Sequence, residues 1–307
     1  MLFLRASDVE KALRPEIAVQ AVREAFIELS SGRINQPKRT VIMVKGDWWA
    51  VMQSATENAF VAKVVNVIPR NVARNKPAVN AVVLLMDPVD GSPLAVMEGS
   101  VLTAIRTSAA SVLSTEVAYG RNVGTLGVIG AGTEARYHLK IALKYLKIGK
   151  VLITARKNHY ALAKEFGAEP TNLETLLRQS DVIYATTSSK EPVVLGKYLK
   201  DDFHVSSIGA HTPDSRELDD EAVKRAKTYL VDSIEAVSEE AGDFIEPKKK
   251  GILPRVLEIG EVISKGLKVE RPSVFKSVGT SAQDNLATYY AYREALRLGL
   301  GTELTFP

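Results

Sequence analysis

The succession of segments predicts an α/β protein: a doubly wound parallel sheet joined to a second, α+β domain. Three observations carry this. The 307 residues are enough for two domains at about 150 residues each. After residue 124, strand-like and helix-like runs alternate, which is the pattern of a parallel sheet covered on both faces. Before residue 100, a helix precedes about five strand-like runs with turn chemistry between them, so that sheet is antiparallel or mixed.

Composition narrows the class further. Apolar residues make up 46% and charged residues 25%, near the soluble globular average, so a disordered chain is excluded. With no cysteine, a disulfide framework and a thiolate zinc site are excluded too. The four histidines leave little for an imidazole metal site, and none is expected. Lys and Arg exceed Asp and Glu by 40 − 36 = 4. The charges are scattered, so no nucleic-acid partner is expected. No run of 18 apolar residues exists, and the start, Met-Leu-Phe-Leu-Arg-Ala-Ser-Asp, lacks a signal-peptide layout. No membrane partner is expected, and a cytoplasmic location is.

In chain order, Ser7 and Glu10 have capping-box spacing. A longer helix follows, with Pro15 in its first turn, Gly32 past its end, and Ala18, Ala21, Val22, Ala25, Phe26 and Leu29 on one face. Runs 40–45 and 48–53 flank Gly46-Asp47, a hairpin turn. Runs 59–67 and 78–86 are β-rich, and Asp87-Pro88-Val89-Asp90-Gly91 is a turn before 92–97. A helix over 102–118 ends at Gly120. Strands are then expected at 125–129, 151–155, 182–186, 205–208, 229–231 and 274–278, with helices such as 134–146 and 221–227 between them. A last helix over 282–298 ends at Gly299. Lys248-Lys249-Lys250, after Pro247, reads as a solvated loop.

The strongest local signal for chemistry is Gly130-Ala131-Gly132-Thr133-Glu134-Ala135, a G-x-G-x-x-A motif directly after an apolar strand and opening a helix. Gly130 permits the tight turn, Gly132 the approach of a pyrophosphate, and Ala135 close helix–strand packing. The helix N-terminus favours the phosphate charge. This is the dinucleotide turn of a Rossmann-type sheet, although glycine-rich turns also serve purely structural ends. At the end of the next strand, where an NAD site usually carries Asp or Glu, stand Thr154-Ala155-Arg156-Lys157. Arg156 and Lys157 suit a 2′-phosphate, so NADP(H) is preferred, with NAD(H) the alternative; an ordinary solvated loop is the bland reading. Thr186, Thr187 and Val278 complete the cofactor set.

Lys63 lies in Val61-Ala62-Lys63-Val64-Val65, where alternation puts it beside Val61 and Val65. On an apolar face its pKa falls, which suits proton transfer; an edge-strand lysine reaching water is the competing reading. Arg106 sits in an otherwise small and apolar helix and wants an anion. With Arg39, which precedes a strand, it suits a substrate carboxylate. A structural salt bridge is the alternative.

Nearly the whole chain resembles the ornithine cyclodeaminase/μ-crystallin family, which also contains archaeal alanine dehydrogenase and ketimine reductases. The resemblance runs through Lys63-Val64-Val65-Asn66-Val67-Ile68-Pro69-Arg70-Asn71, residues 84–95 and 103–110, and the glycine motif. It continues through Gly209-Ala210-His211-Thr212-Pro213-Asp214-Ser215-Arg216-Glu217-Leu218 and Phe275-Lys276-Ser277-Val278-Gly279. It implies a homodimer. Residues 1–115 with 282–307 would form the substrate-binding and dimerisation domain, and 116–281 the Rossmann domain. It further implies that Arg39 and Arg106 hold the substrate carboxylate, that Lys63 lies beside the reacting carbon, and that Thr107 meets the cofactor phosphates.

One position departs from the pattern. Where ornithine cyclodeaminase and the archaeal alanine dehydrogenase carry an acid/base aspartate, this chain has His211. Histidine still exchanges protons near neutral pH but offers no permanent charge to a second ammonium group. Ser215 also replaces a lysine of the cyclodeaminase. The expectation is an NAD(P)H-dependent oxidoreductase acting on the C–N bond of a small amino or imino acid, such as pyrroline-2-carboxylate, or pyruvate plus ammonia. The alternatives are ornithine cyclodeamination with internal recycling of NAD, and a non-catalytic, crystallin-like NADPH-binding protein.

Overall fold

The computed structural model describes residues 1–74 and 76–305. Residues 1–106 and those from Thr280 on form one unit, and Thr107–Gly279 forms another.

The first unit opens with β1 (Leu2–Leu4), a strand too short to leave a periodic signal and absent from the sequence reading. Helix α1 (Ala6–Ala12) begins earlier than the Ser7/Glu10 spacing implies. Its N-cap is Arg5, whose backbone N–H donates to the Asp8 carboxylate at 3.0 Å. Asp8 is thus the acidic residue three past the cap, the place that Glu10 was expected to fill. Helix α2 (Pro15–Ser30) has proline at its first position, where the missing N–H costs nothing. Strands β2 (Thr40–Val44) and β3 (Asp47–Ala55) turn at Lys45-Gly46, one residue before the expected Gly46-Asp47. Both turn residues have positive φ, 53° and 80°, as a two-residue primed turn requires. Strands β4 (Phe60–Val67), β5 (Val79–Met86) and β6 (Pro93–Glu98) follow antiparallel to one another. Helix α3 (Gly99–Ala118) starts three residues before the expected 102, because the Glu98 carboxylate accepts from the N–H groups of Ser100 and Val101.

The second unit is a parallel α/β sheet. It comprises β7 (Asn122–Ile129), α4 (Thr133–Tyr145), β8 (Lys147–Thr154), α5 (His159–Phe166), β9 (Glu169–Pro170) and α6 (Leu173–Gln179). Then come β10 (Val182–Ala185), β11 (His204–Ser207), α7 (Asp220–Arg225), β12 (Thr228–Val231) and α8 (Ile234–Glu240). The unit ends with α9 (Gly242–Lys249), β13 (Arg255–Glu258), α10 (Ile259–Lys265) and β14 (Ser273–Lys276). The strand order is β13-β12-β14-β11-β10-β7-β8-β9. The order reverses between β7 and β10, the switch point at which such sheets take their ligands. The lysine run is not a loop: Lys248 and Lys249 finish α9, with Pro247 inside it. Proline has no N–H to give to the Asp243 carbonyl, and the Tyr229 hydroxyl donates there instead, at 2.9 Å.

From Thr280 the chain returns to the first unit with α11 (Ser281–Leu298) and β15 (Thr302–Glu303). Its sheet is mixed, in the order β15-β1-β6-β5-β4-β3-β2. Helix α11 is pinned to the buried face. The Asn285 amide donates to the carbonyls of Ser54 and Ala59, and the Ser54 hydroxyl donates to Ser281. Ala21 and Ala25 of α2 pack against Ala282 and Leu286. Among the described residues no helix is long and apolar enough to cross a membrane.

Candidate active site

In the first unit, two cations share one buried carboxylate, and a third cation lies within electrostatic reach. Lys63 projects from β4, an interior strand between β3 and β5, so it does not reach water from a sheet edge. Its register partners are Met52 and Val83, it is 1% exposed, and Val61 and Val65 share its face. Burying an ammonium there demands a counter-charge. Asp284, in the first turn of α11, supplies it: Lys63 Nζ lies 2.6 Å from Oδ2. Arg106 on α3 donates through Nε to Oδ1 of the same carboxylate at 3.0 Å. Asp284 was not found in the sequence reading. Its only local signal is an acidic residue in a first helical turn, and 178 residues separate it from Arg106.

The electrostatics follow from the burial. Desolvation pushes the Lys63 ammonium down to about 8; Asp284 opposes this, while Arg106 and Arg39 add to it. For Asp284, burial alone would raise the carboxyl, but Lys63 and Arg106 outweigh it and hold it below the usual range. Arg39, just before β2, is half-buried and within electrostatic reach of Lys63. With Lys63 protonated, two positive charges, Lys63 and Arg106, share one negative charge. Asp284 binds Arg106 only through Nε, so a planar N–H edge of that guanidinium is not committed to this carboxylate. Such a cluster is built to receive a further anion.

In the second unit the glycine turn joins β7 to α4. Gly130 has φ +126°, and a Cβ there would stand 2.5 Å from Thr186 Oγ1. Thr186 is itself tied to the end of β7, its N–H and hydroxyl both donating to Ile129. At Gly132 a Cβ would meet nothing within 4 Å, and this N-cap of α4 makes no side-chain bond to the helix. The backbone therefore faces open space where α4 begins, and the N–H groups of a helix's first turn favour an anion there, so this cradle fits a pyrophosphate. Arg156 and Lys157 follow β8 and are exposed. Thr107, next to Arg106 on α3, is buried. Val278 follows β14, and its N–H donates to the buried Asp232 at 2.9 Å.

His211 lies in the loop after β11, exposed, with Nδ1 3.0 Å from the Gly209 carbonyl. Lys63 belongs to the other unit. Asp214 is exposed and bound to Lys190 and the Thr212 hydroxyl. Thr187 donates through N–H and hydroxyl to Glu217, a fully buried carboxylate that the sequence reading did not single out.

A parallel sheet with a dinucleotide turn in one unit, and in the other a buried lysine that shares a carboxylate with an arginine, mark a nucleotide-binding α/β protein. Residues 1–298 match the model of the ornithine cyclodeaminase/mu-crystallin family, and the chain belongs to that family. It is 33% identical over 305 residues to ketimine reductase mu-crystallin of Rattus norvegicus, covering 94% of this chain and 96% of that one. Among solved structures, it resembles Thermococcus litoralis Δ1-pyrroline-2-carboxylate reductase in complex with NADH and L-proline. The TM-score is 0.91 and the identity 34%, over 99% of this chain and 100% of that one. An archaeal alanine dehydrogenase dimer with bound NAD matches with a TM-score of 0.90 and 26% identity, over 100% and 99% of the two chains.

Proposed function

We propose that this protein is an NAD(P)H-dependent reductase of small cyclic or acyclic α-imino acids, with pyrroline-2-carboxylate as the type substrate. The observation that carries the reading is the surplus of positive charge around Asp284. Arg39 and Arg106 hold the substrate carboxylate, and that fixes the imine carbon and nitrogen. The Lys63 ammonium, held near pKa 8, keeps the imine nitrogen protonated and so makes its carbon electrophilic. After reduction the amine carries that proton, and Lys63 is recharged from solvent. His211 serves proton exchange on nitrogen or on an attacking water. A bound nicotinamide dinucleotide supplies the hydride. Gly130, Gly132 and the first turn of α4 take its pyrophosphate, with Thr107, Thr186, Thr187 and Val278 around it. Arg156 and Lys157 favour NADP(H) over NAD(H).

A non-catalytic binding protein would leave Lys63 and Arg106 neutralised by internal partners. Asp284 neutralises only one of the two charges of Lys63 and Arg106 that share it, which favours catalysis. The chain acts as a homodimer through the first unit. Val51, Val64 and Val82 form a row across β3, β4 and β5, and Ile42 and Val44 extend the same face on β2; all are exposed.

A substrate panel with NADPH and NADH, followed by nicotinamide absorbance, tests the reading. Net oxidation of the dinucleotide with a cyclic imino acid is expected. Conversion of ornithine to proline with no net change would instead assign the cyclodeaminase reaction.

A further inference from the structure

Three charged side chains with no exposure at all lie together in the second unit, far from its glycine turn in sequence: Glu217, Asp243 and Lys276. Burying three charges costs several kcal/mol per ion unless every lone pair and proton is engaged, and here they are. Lys276 Nζ lies 3.0 Å from Asp243 Oδ2, donates to the Ala210 carbonyl, and is 3.0 Å from Ser207 Oγ. Asp243 Oδ1 accepts from the N–H groups of Glu217 and Leu218, both at 2.9 Å. Glu217 is thereby fixed from behind, and its two oxygens point to different loops. Oε1 accepts from the N–H and the hydroxyl of Thr187, at 2.6 and 2.9 Å. Oε2 accepts from Gly209 N–H at 2.8 Å and lies 3.4 Å from Ala210 N. The loops almost touch: a Cβ on Gly209 would lie 1.9 Å from the Thr187 carbonyl oxygen.

We infer that Glu217, braced by Lys276 and Asp243, is a positioning residue that locks the Thr187 loop and the His211 loop into one arrangement. The inference deepens the proposed function, in which Thr187 serves the cofactor and His211 the proton. Its geometry does not depend on those roles. The peptide groups just before His211 are held from both sides, Gly209 and Ala210 through their N–H groups by Glu217 and Ala210 through its carbonyl by Lys276. An exposed imidazole therefore stands on an anchored backbone.

Glu217→Gln keeps the shape but turns one acceptor into a donor that faces other donors, so one of the two loops must release. The ring signals of His211 in a histidine-labelled NMR spectrum, assigned with His211→Asn, should then move while those of His159 stay. NADPH affinity should fall at least threefold and kcat at least tenfold. In the double variant with His211→Asn, kcat should be no lower than in His211→Asn alone, because both changes remove one function. Ser207→Ala removes only the hydroxyl that meets Glu217, Asp243 and Lys276, and it carries the same readouts in smaller measure if Glu217→Gln does not fold. Unmoved His211 signals with unchanged NADPH affinity would overturn the inference, and so would fully multiplicative losses of kcat. If His211→Asn is fully active while Glu217→Gln still shifts the His211 ring, the positioning stands and the acid–base role of His211 falls.

Discussion

At the scale of single residues, the account turns on a lysine that changes charge near pH 8. In the reductive direction Lys63 works as the ammonium, so kcat should fall as pH rises through about 8. In the oxidative direction it must accept a proton, so kcat should rise over the same interval; two opposed profiles in steady-state assays check this. Asp284 holds the Lys63 pKa up, and Asp284→Asn should therefore move both inflections to lower pH and weaken the fold. Cofactor choice is a separate matter of one loop. Arg156→Ala should weaken NADPH binding by about 1–3 kcal/mol, the usual worth of a charge-assisted bond, and leave NADH unchanged. Equal losses for both dinucleotides would show that Arg156 does not meet the 2′-phosphate. Lys63, Arg106 and the glycine turn were legible in the sequence because each violates or satisfies a local pattern: a cation on an apolar face, a glycine where a side chain would collide. Asp284 and Glu217 were not legible. An acidic residue opening a helix or lying in a loop looks solvated until folding brings its partners from distant segments.

Elements show the same division. Hydrophobic period found β2 to β6 and the long helices, while β1, β9 and β15, at two or three residues, are too short to carry one. Strand β13 is as long as β10 to β12, but charged Arg255 and Glu258 bound it and leave only two apolar residues. Boundaries moved where a cap decided them, as Asp8 and Glu98 do. Helix α3 illustrates what periodicity cannot reveal. Its Ser108, Ser111 and Ser114 meet buried rings: Ser108 and Ser111 bond His138 of α4, and Ser114 bonds His204 of β11. Burial pushes His138 down to about 4 and His204 to about 3. Unfolded, both take up protons near 6.5; folded, they resist until far lower pH. The unfolded chain thus binds more protons over the window from 6.5 down to the folded values, and stability is lost as pH falls through it. Each ring should remove about 3 kcal/mol between pH 7 and pH 3.5. Urea unfolding across that range should show the decline, and His204→Phe should flatten part of it. A pH-independent midpoint would mean that the rings are not buried as neutral species.

For the whole molecule, the exposed apolar face of the first unit and the charged cluster on its buried face lie on opposite sides of one sheet, because strand residues alternate. One β4 residue serves each: Val64 is 49% exposed and Lys63 1%. Ile42→Asp, on the edge strand at 61% exposure, should convert a dimer to a monomer in sedimentation without unfolding it. An unchanged assembly would place the interface elsewhere.

The central claim is that the cluster of Arg39, Lys63, Arg106 and Asp284 exists to hold a carboxylate beside a reducible C=N bond. The most direct measurement compares kcat/KM for pyrroline-2-carboxylate with that for the same cyclic imine lacking its carboxylate, in the native protein and in Arg39→Met and Arg106→Met. The native protein should prefer the carboxylate by at least about a hundredfold, equivalent to roughly 2.7 kcal/mol, and each variant should lose most of that preference while remaining folded. Equal reduction of both imines by the native protein, or a preference that survives both substitutions, would contradict the account.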